Sequence, residues 1–142
     1  MTAARLHATC VAIRAHAVLL IGASGSGKSD LALRLIDRGA MLVSDDQTML
    51  TVVDGTLVAA PPATIAGLIE VRGIGIVPLP HRAMAPVALV VRLGEPVVRM
   101  PEAGLTEVIY GIAIPLIRAD SHEASAPLKV ELALRRVTGE AT

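Results

Sequence analysis

Aromatic residues are almost missing from this 142-residue chain, which has no Phe, no Trp and a single Tyr, Tyr110. Its core must therefore be built from Val, Leu, Ile, Ala and Met, and the 53% hydrophobic share supplies them. The same absence bears on function. Bases and sugars cannot be gripped by stacking on rings, so a nucleotide would be held by its phosphates, with weak selectivity for the base. Cysteine is equally scarce: Cys10 stands alone, which excludes an internal disulfide and any multi-cysteine metal site and suits a reducing compartment. The 13 basic and 13 acidic residues cancel to a formal charge of zero. No basic block is present, so the chain lacks the electrostatic footprint of nucleic-acid binding. No apolar run approaches the roughly eighteen residues that span a bilayer. Arg14 and His16 interrupt the first apolar stretch, which runs straight into a glycine-rich loop, and cleavage of a leader there would remove that loop's own strand. A single domain over residues 1–142, cytoplasmic and without a membrane or nucleic-acid partner, is the expectation.

What the chain does contain begins at Gly22-Ala23-Ser24-Gly25-Ser26-Gly27-Lys28-Ser29, a full match to the G-x-x-x-x-G-K-[ST] phosphate loop. The apolar run 17–21 before it reads as a buried strand. Leu31, Ala32, Leu35 and Ile36 after it recur at helical spacing from Lys28 to Arg38, and Gly39 stands at the stop. Glycines let successive N–H groups turn inward, and the helix behind adds its positive end, so the concavity suits anions. Lys28 offers a mobile charge to the outer phosphates, and the Ser29 hydroxyl is a ligand type suited to Mg²⁺.

Along the rest of the chain, residues 7–13 and 40–44 read as strands. Residues 48–53 and 56–60 flank Asp54-Gly55, a two-residue hairpin signal. The segment 64–80 crowds Glu70, Arg72, Gly73 and Gly75, putting a carboxylate, a guanidinium and flexible backbone together. Residues 86–93 form a strand, residues 107–117 another broken by Gly111 and Pro115, and residues 126–137 a terminal helix with Ser125 as N-cap. Strands outnumber helices, and hairpins sit beside one strand-loop-helix unit. The fold class is therefore α/β, a mixed sheet containing the phosphate loop and flanked by few helices.

Asp45 and Asp46 end the strand that follows the loop's helix, and ligands of open α/β sheets collect at strand carboxyl ends. One acid could orient a metal shell while the other accepts a proton from an attacking hydroxyl. Phosphoryl transfer to a hydroxyl of a protein or of a small molecule, and non-catalytic nucleotide sensing, remain open on this reading.

The run 22–30, the helix to Arg38-Gly39, Leu42-Val43-Ser44-Asp45-Asp46, Ala60-Pro61-Pro62 and the stretch 70–76 together resemble the catalytic domain of HPr kinase/phosphorylase. The likeness is firm over residues 7–78 and loose afterwards, and it implies the fold shared by that kinase and PEP carboxykinase. Members phosphorylate a serine of the phosphocarrier HPr with ATP or pyrophosphate, and reverse this by phosphorolysis, releasing pyrophosphate. By position, Asp46 resembles the proton acceptor and donor, Asp45 its supporting neighbour, and Lys28 the catalytic lysine. Ser29 and Glu70 match the Mg²⁺ ligands, His7 the active-site histidine, Arg72 a signature residue and Arg99 a catalytic arginine. Homo-oligomers, hexamers in this family, are also implied. Residues 77–84 and the segment near Ala124-Ser125 depart from the family pattern.

Overall fold

The computed structural model describes residues 3–139. Eleven strands and two helices run in the order β1 (Ala4–Leu6), β2 (Ala8–Ile13), β3 (His16–Ile21), α1 (Lys28–Asp37), β4 (Met41–Ser44), β5 (Thr48–Val53), β6 (Thr56–Ala60), β7 (Leu68–Val71), β8 (Gly75–Pro78), β9 (Ala85–Leu93), β10 (Thr106–Ile109), β11 (Ile112–Ala119) and α2 (Ala126–Thr138). The main sheet follows the order β1-β5-β6-β9-β3-β2-β4, with β11 also on β9 and β10 on β11. It is mixed: β3 and β11 lie parallel to β9, while β2 runs antiparallel between β3 and β4.

The strands at the centre are apolar on both faces because both faces are covered. Val11, Val18, Leu20, Leu89 and Val91 pack under Leu31 and Leu35 of α1 and Val130 and Leu134 of α2. The alternate set, Cys10, Leu19, Val43 and Val90, turns the other way and meets Leu50, Leu57, Ile109 and Ile114, where the curled outer strands close over it. Both helices thus lie on one face of the sheet. Arg38, the C-cap residue of α1, grips Glu131 of α2 through Nε and Nη2, at 2.8 to 3.1 Å. Cys10 is fully buried, and burial pushes its thiol well above the ordinary value, so it stays protonated. Among the described residues no helix is long and apolar enough to cross a membrane.

Several elements differ in detail from the sequence expectation. The span 107–117 is two antiparallel strands, because Tyr110 and Gly111 both take positive φ, 47° and 81°, and turn the chain between them. Pro115 does not break the second strand but lies within it, opposite Thr106. The segment 64–80 folds as a separate hairpin of β7 and β8. Its turn at Arg72-Gly73 is closed by Ile74 N–H donating to Val71 O at 3.0 Å. Ser125 does occupy the N-cap of α2, yet its side chain makes no capping hydrogen bond.

Register fixes what meets at the end of the sheet. Ala8 opposes Ile21 and Cys10 opposes Ser44. The chain therefore enters β2 where β3 runs out into the phosphate loop and β4 runs out into Asp45-Asp46. His7, the loop and both acids share one end of three adjacent strands.

Candidate functional site

The phosphate loop leaves β3 at Gly22 and enters α1 through Gly27, whose φ is 93°. A side chain at Gly27 would collide with the Ser121 hydroxyl, and one at Gly22 with that of Ser26, so both glycines allow close approach, and Gly27 also supplies the left-handed backbone. Lys28 is buried, and its Nζ donates to Gly22 O at 2.8 Å and Ala23 O at 3.2 Å. Carbonyls hold the ammonium without neutralising it, so its charge stays available to an anion in the loop.

Behind the loop sits Asp45, itself buried. Its Oδ1 accepts from Ser29 Oγ at 2.6 Å and from Thr9 Oγ1 at 3.1 Å, and its Oδ2 accepts from Glu70 N–H at 2.9 Å. One carboxylate thereby joins α1, β2, β4 and β7. Asp46, one residue on, has the opposite environment. Gln47 N–H donates to Asp45 O at 2.7 Å across it, and its φ is 66°. Asp tolerates that left-handed geometry better than most residues, and the tight turn throws its side chain outward. There His7 Nε2 lies 2.6 Å from Asp46 Oδ1, with both side chains substantially exposed.

A cleft of about 1050 Å³ opens over these groups, lined by loop residues 24, 25 and 27–29, by Asp46, and by Glu70, Arg72 and Gly73 of the β7–β8 hairpin. That volume accommodates a polyphosphate and an acceptor side chain together. Glu70 and Arg72 are exposed, and among the described residues no ion pair joins them. A second cleft of about 690 Å³ lies on the other side of Gly25-Ser26, bounded by residues 94–97, Asp120 and Lys129.

The donor set suits Mg²⁺. The Ser29 hydroxyl donates its hydrogen bond to Asp45, leaving its oxygen lone pairs for a cation, and the hydrogen bond from Glu70 N–H to Asp45 holds the Glu70 backbone beside them. Hard oxygen ligands are what Mg²⁺ takes, usually one or two from protein with substrate phosphates and waters completing the shell. Among the described residues no three His, Cys, Asp or Glu side chains form a preformed cage.

The structure thus brings His7, residues 24, 25 and 27–29 of the loop, Asp45, Asp46, Glu70 and Arg72 to one strand end. It does not bring Arg99 there. That residue is exposed in the loop 94–105 and lines neither cleft. The loop is anchored at its base, where Glu95 bridges Arg118 at 2.9 Å and Arg92 at 3.7 Å, and Arg92 also pairs with Glu107 through two hydrogen bonds.

Three residues of the site carried no usable sequence signal. Thr9 reads as an ordinary β-branched strand residue. Ser121 and His122 stand in a short connection before α2. Ser121 Oγ donates to Ser26 O at 2.6 Å, while Arg34 of α1 donates to the carbonyls of Ser121 and Glu123. This clasp seats the phosphate loop from outside and puts His122 on the wall shared by both clefts.

A family model described as the HPr serine kinase C-terminal domain matches residues 1–82. An HPr kinase/phosphorylase of Clostridium botulinum is 45% identical over 73 residues, covering 51% of this chain and 24% of that protein. The Clostridium tetani protein of the same name is 42% identical over 76 residues, 54% of this chain and 25% of the relative. The matches thus span about a quarter of the length of these curated relatives. The solved structure of the HPr(Ser) kinase/phosphatase from Coxiella burnetii superposes with a TM-score of 0.79 at 30% identity, over 94% of this chain and 89% of that one.

Proposed function

This chain belongs to the HPr serine kinase C-terminal domain family, and from that premise we propose that it transfers a phosphoryl group from ATP or pyrophosphate to a serine of an HPr-like carrier protein. The observation that supports the reading best is the opening of the phosphate loop and the Asp46 carboxylate onto one cleft. Transfer to an alcohol needs a charge-neutralising cradle and an acceptor for the hydroxyl proton within reach of each other.

In this account the inward N–H groups of the loop and the positive end of α1 bind the donor's phosphates, and Lys28 leaves its carbonyl partners to follow charge as it builds on them. Arg72 adds a second cation from the hairpin side. Mg²⁺, held by the Ser29 hydroxyl and the Glu70 carboxylate, would further withdraw charge from the phosphates. Asp46 takes the proton of the attacking serine hydroxyl, and His7, bonded to its Oδ1, fixes the carboxylate and stabilises its charge. Run backwards, inorganic phosphate attacks phosphoserine, the protonated Asp46 returns its proton to the leaving serine oxygen, and pyrophosphate departs. With Tyr110 as the lone aromatic of the Phe, Trp and Tyr set, the phosphates are the main handle on a nucleotide donor. A cytoplasmic location and assembly into oligomers complete the proposal, the first in keeping with a lone protonated thiol.

The test is mass spectrometry of HPr incubated with the protein, ATP and Mg²⁺, followed by excess phosphate. The reading predicts one phosphoserine that forms and then disappears with release of pyrophosphate, and no modification with Lys28→Ala. An unmodified HPr in the presence of demonstrably bound nucleotide would overturn it.

A further inference from the structure

Thr9 lies on the face of β2 that packs against α1, in line with Val11 and Ile13, both of which belong to the apolar cluster on that face. A valine would fill its volume. Instead there is a hydroxyl, fully buried, at the point where the strand reaches the site. It is used twice: Thr9 Oγ1 donates to Asp45 Oδ1 and accepts the Asp46 N–H, each at 3.1 Å. One side chain therefore bonds the carboxylate of one acid and the backbone of the next.

Asp46 needs such a tie. Its φ of 66° is a costly conformation for a residue bearing a side chain, and it persists only where neighbouring bonds impose it. Three bonds do so here: Gln47 N–H to Asp45 O closes the turn, the Ser44 hydroxyl donates to Gln47 O, and Thr9 accepts the Asp46 N–H. Only Thr9 reaches in from another strand. It is also the only one of the three whose side chain touches the Asp45 carboxylate, the group that holds Ser29.

We propose that Thr9 is a positioning residue for phosphoryl transfer: its hydroxyl couples the phosphate-loop side of the site, through Asp45 and Ser29, to the orientation of the proton-accepting Asp46. The inference rests on the function proposed above. It assigns Thr9 no contact with substrate. When the loop fills and the Ser29 hydroxyl takes up its working position, Asp45 and Thr9 carry that constraint to the backbone of Asp46.

The experiment compares Thr9→Val, which keeps the shape and removes the hydroxyl, with Thr9→Ser, which keeps the hydroxyl and removes a methyl. Turnover at saturating substrates, KM for the donor, thermal midpoint and amide hydrogen exchange at Asp46 are read for each. For Thr9→Val the expectation is a kcat lower by about 10- to 100-fold, the worth of a hydrogen bond in a charged site, with donor KM changed less than about threefold. Exchange of the Asp46 amide should accelerate by about tenfold or more. Thr9→Ser should keep kcat and Asp46 protection within about threefold of the parent while its thermal midpoint falls, because a buried methyl is gone. A merely structural Thr9 gives the reverse pattern: midpoints fall in both variants and kcat in neither. Wild-type kcat with an unchanged Asp46 amide in Thr9→Val would overturn the proposal, as would a Thr9→Ser as slow as Thr9→Val. If Thr9→Val does not fold, Thr9→Ala takes its place, with the same kcat loss and faster Asp46 exchange expected and the same unchanged values overturning the proposal. Failure of the parent protein to phosphorylate HPr would sink the functional reading alone, because Asp46 exchange needs no catalysis.

Discussion

The inner and outer sides of the end of β4 are built from the same residue type and behave as opposites. On the inner side Asp45 is buried and saturated, receiving hydrogen bonds from Ser29, Thr9 and the Glu70 backbone. On the outer side Asp46 is exposed, held in a strained turn and bonded through its carboxylate to His7. A carboxylate with several protein donors is fixed and serves architecture. One with a single partner and open cleft in front of it is free to exchange a proton. Adjacent aspartates in a sequence therefore need not form a pair with shared duties, and here the strand end separates them.

Substitutions can break or sharpen that contrast. The largest effect belongs to the outer side: Asp46→Asn should lower kcat for phosphoryl transfer by about a thousandfold, in the range for loss of a general base, with thermal stability and nucleotide affinity nearly intact. Steady-state kinetics beside a melting curve checks both halves. On the inner side, Asp45→Ala leaves three donors without their acceptor, the fully buried Thr9 hydroxyl among them, and should cost about 2–4 kcal/mol, a drop in thermal midpoint of roughly 10 °C for a chain of this size. Calorimetry measures it, and donor affinity should fall as well because Ser29 loses its anchor. His7→Gln keeps a hydrogen bond to Asp46 but removes the ring, and kcat should decline by about tenfold with KM unmoved. Smallest of all, Arg99→Gln should leave turnover within about twofold. A hundredfold loss there would mean that the loop 94–105 reaches the cleft during turnover.

How much of this was legible in the chain follows from the range of the interactions. The phosphate loop, α1 and the Asp54-Gly55 hairpin are local features, set by residues within a few positions of one another, and the structure has them within a residue or so of the expected places. The meeting of His7 with Asp46 depends on β2 lying antiparallel between β3 and β4, which no local pattern states. It entered the sequence reading through the family resemblance. Thr9 and Ser121 were missed because their roles consist of bonds to residues 36, 37 and 95 positions away. Within 107–117 both Gly111 and Pro115 read as breaks; Gly111 does make the turn, together with Tyr110, while Pro115 lies inside β11. Sequence likeness to the family model ends at residue 82 while the fold match covers 94% of the chain. Among the described residues of the second half, only Ser121 and His122 reach the phosphate-loop cleft.

One measurement bears most directly on the account: an experimental structure of the protein with pyrophosphate and Mg²⁺. The phosphates should lie against the N–H groups of residues 24–29 with the Asp46 carboxylate facing the terminal phosphate across space for a serine side chain. Pyrophosphate seated instead in the other cleft beside Asp120 and Lys129, with Asp46 turned from it, would contradict the shared site on which the proposed reaction depends.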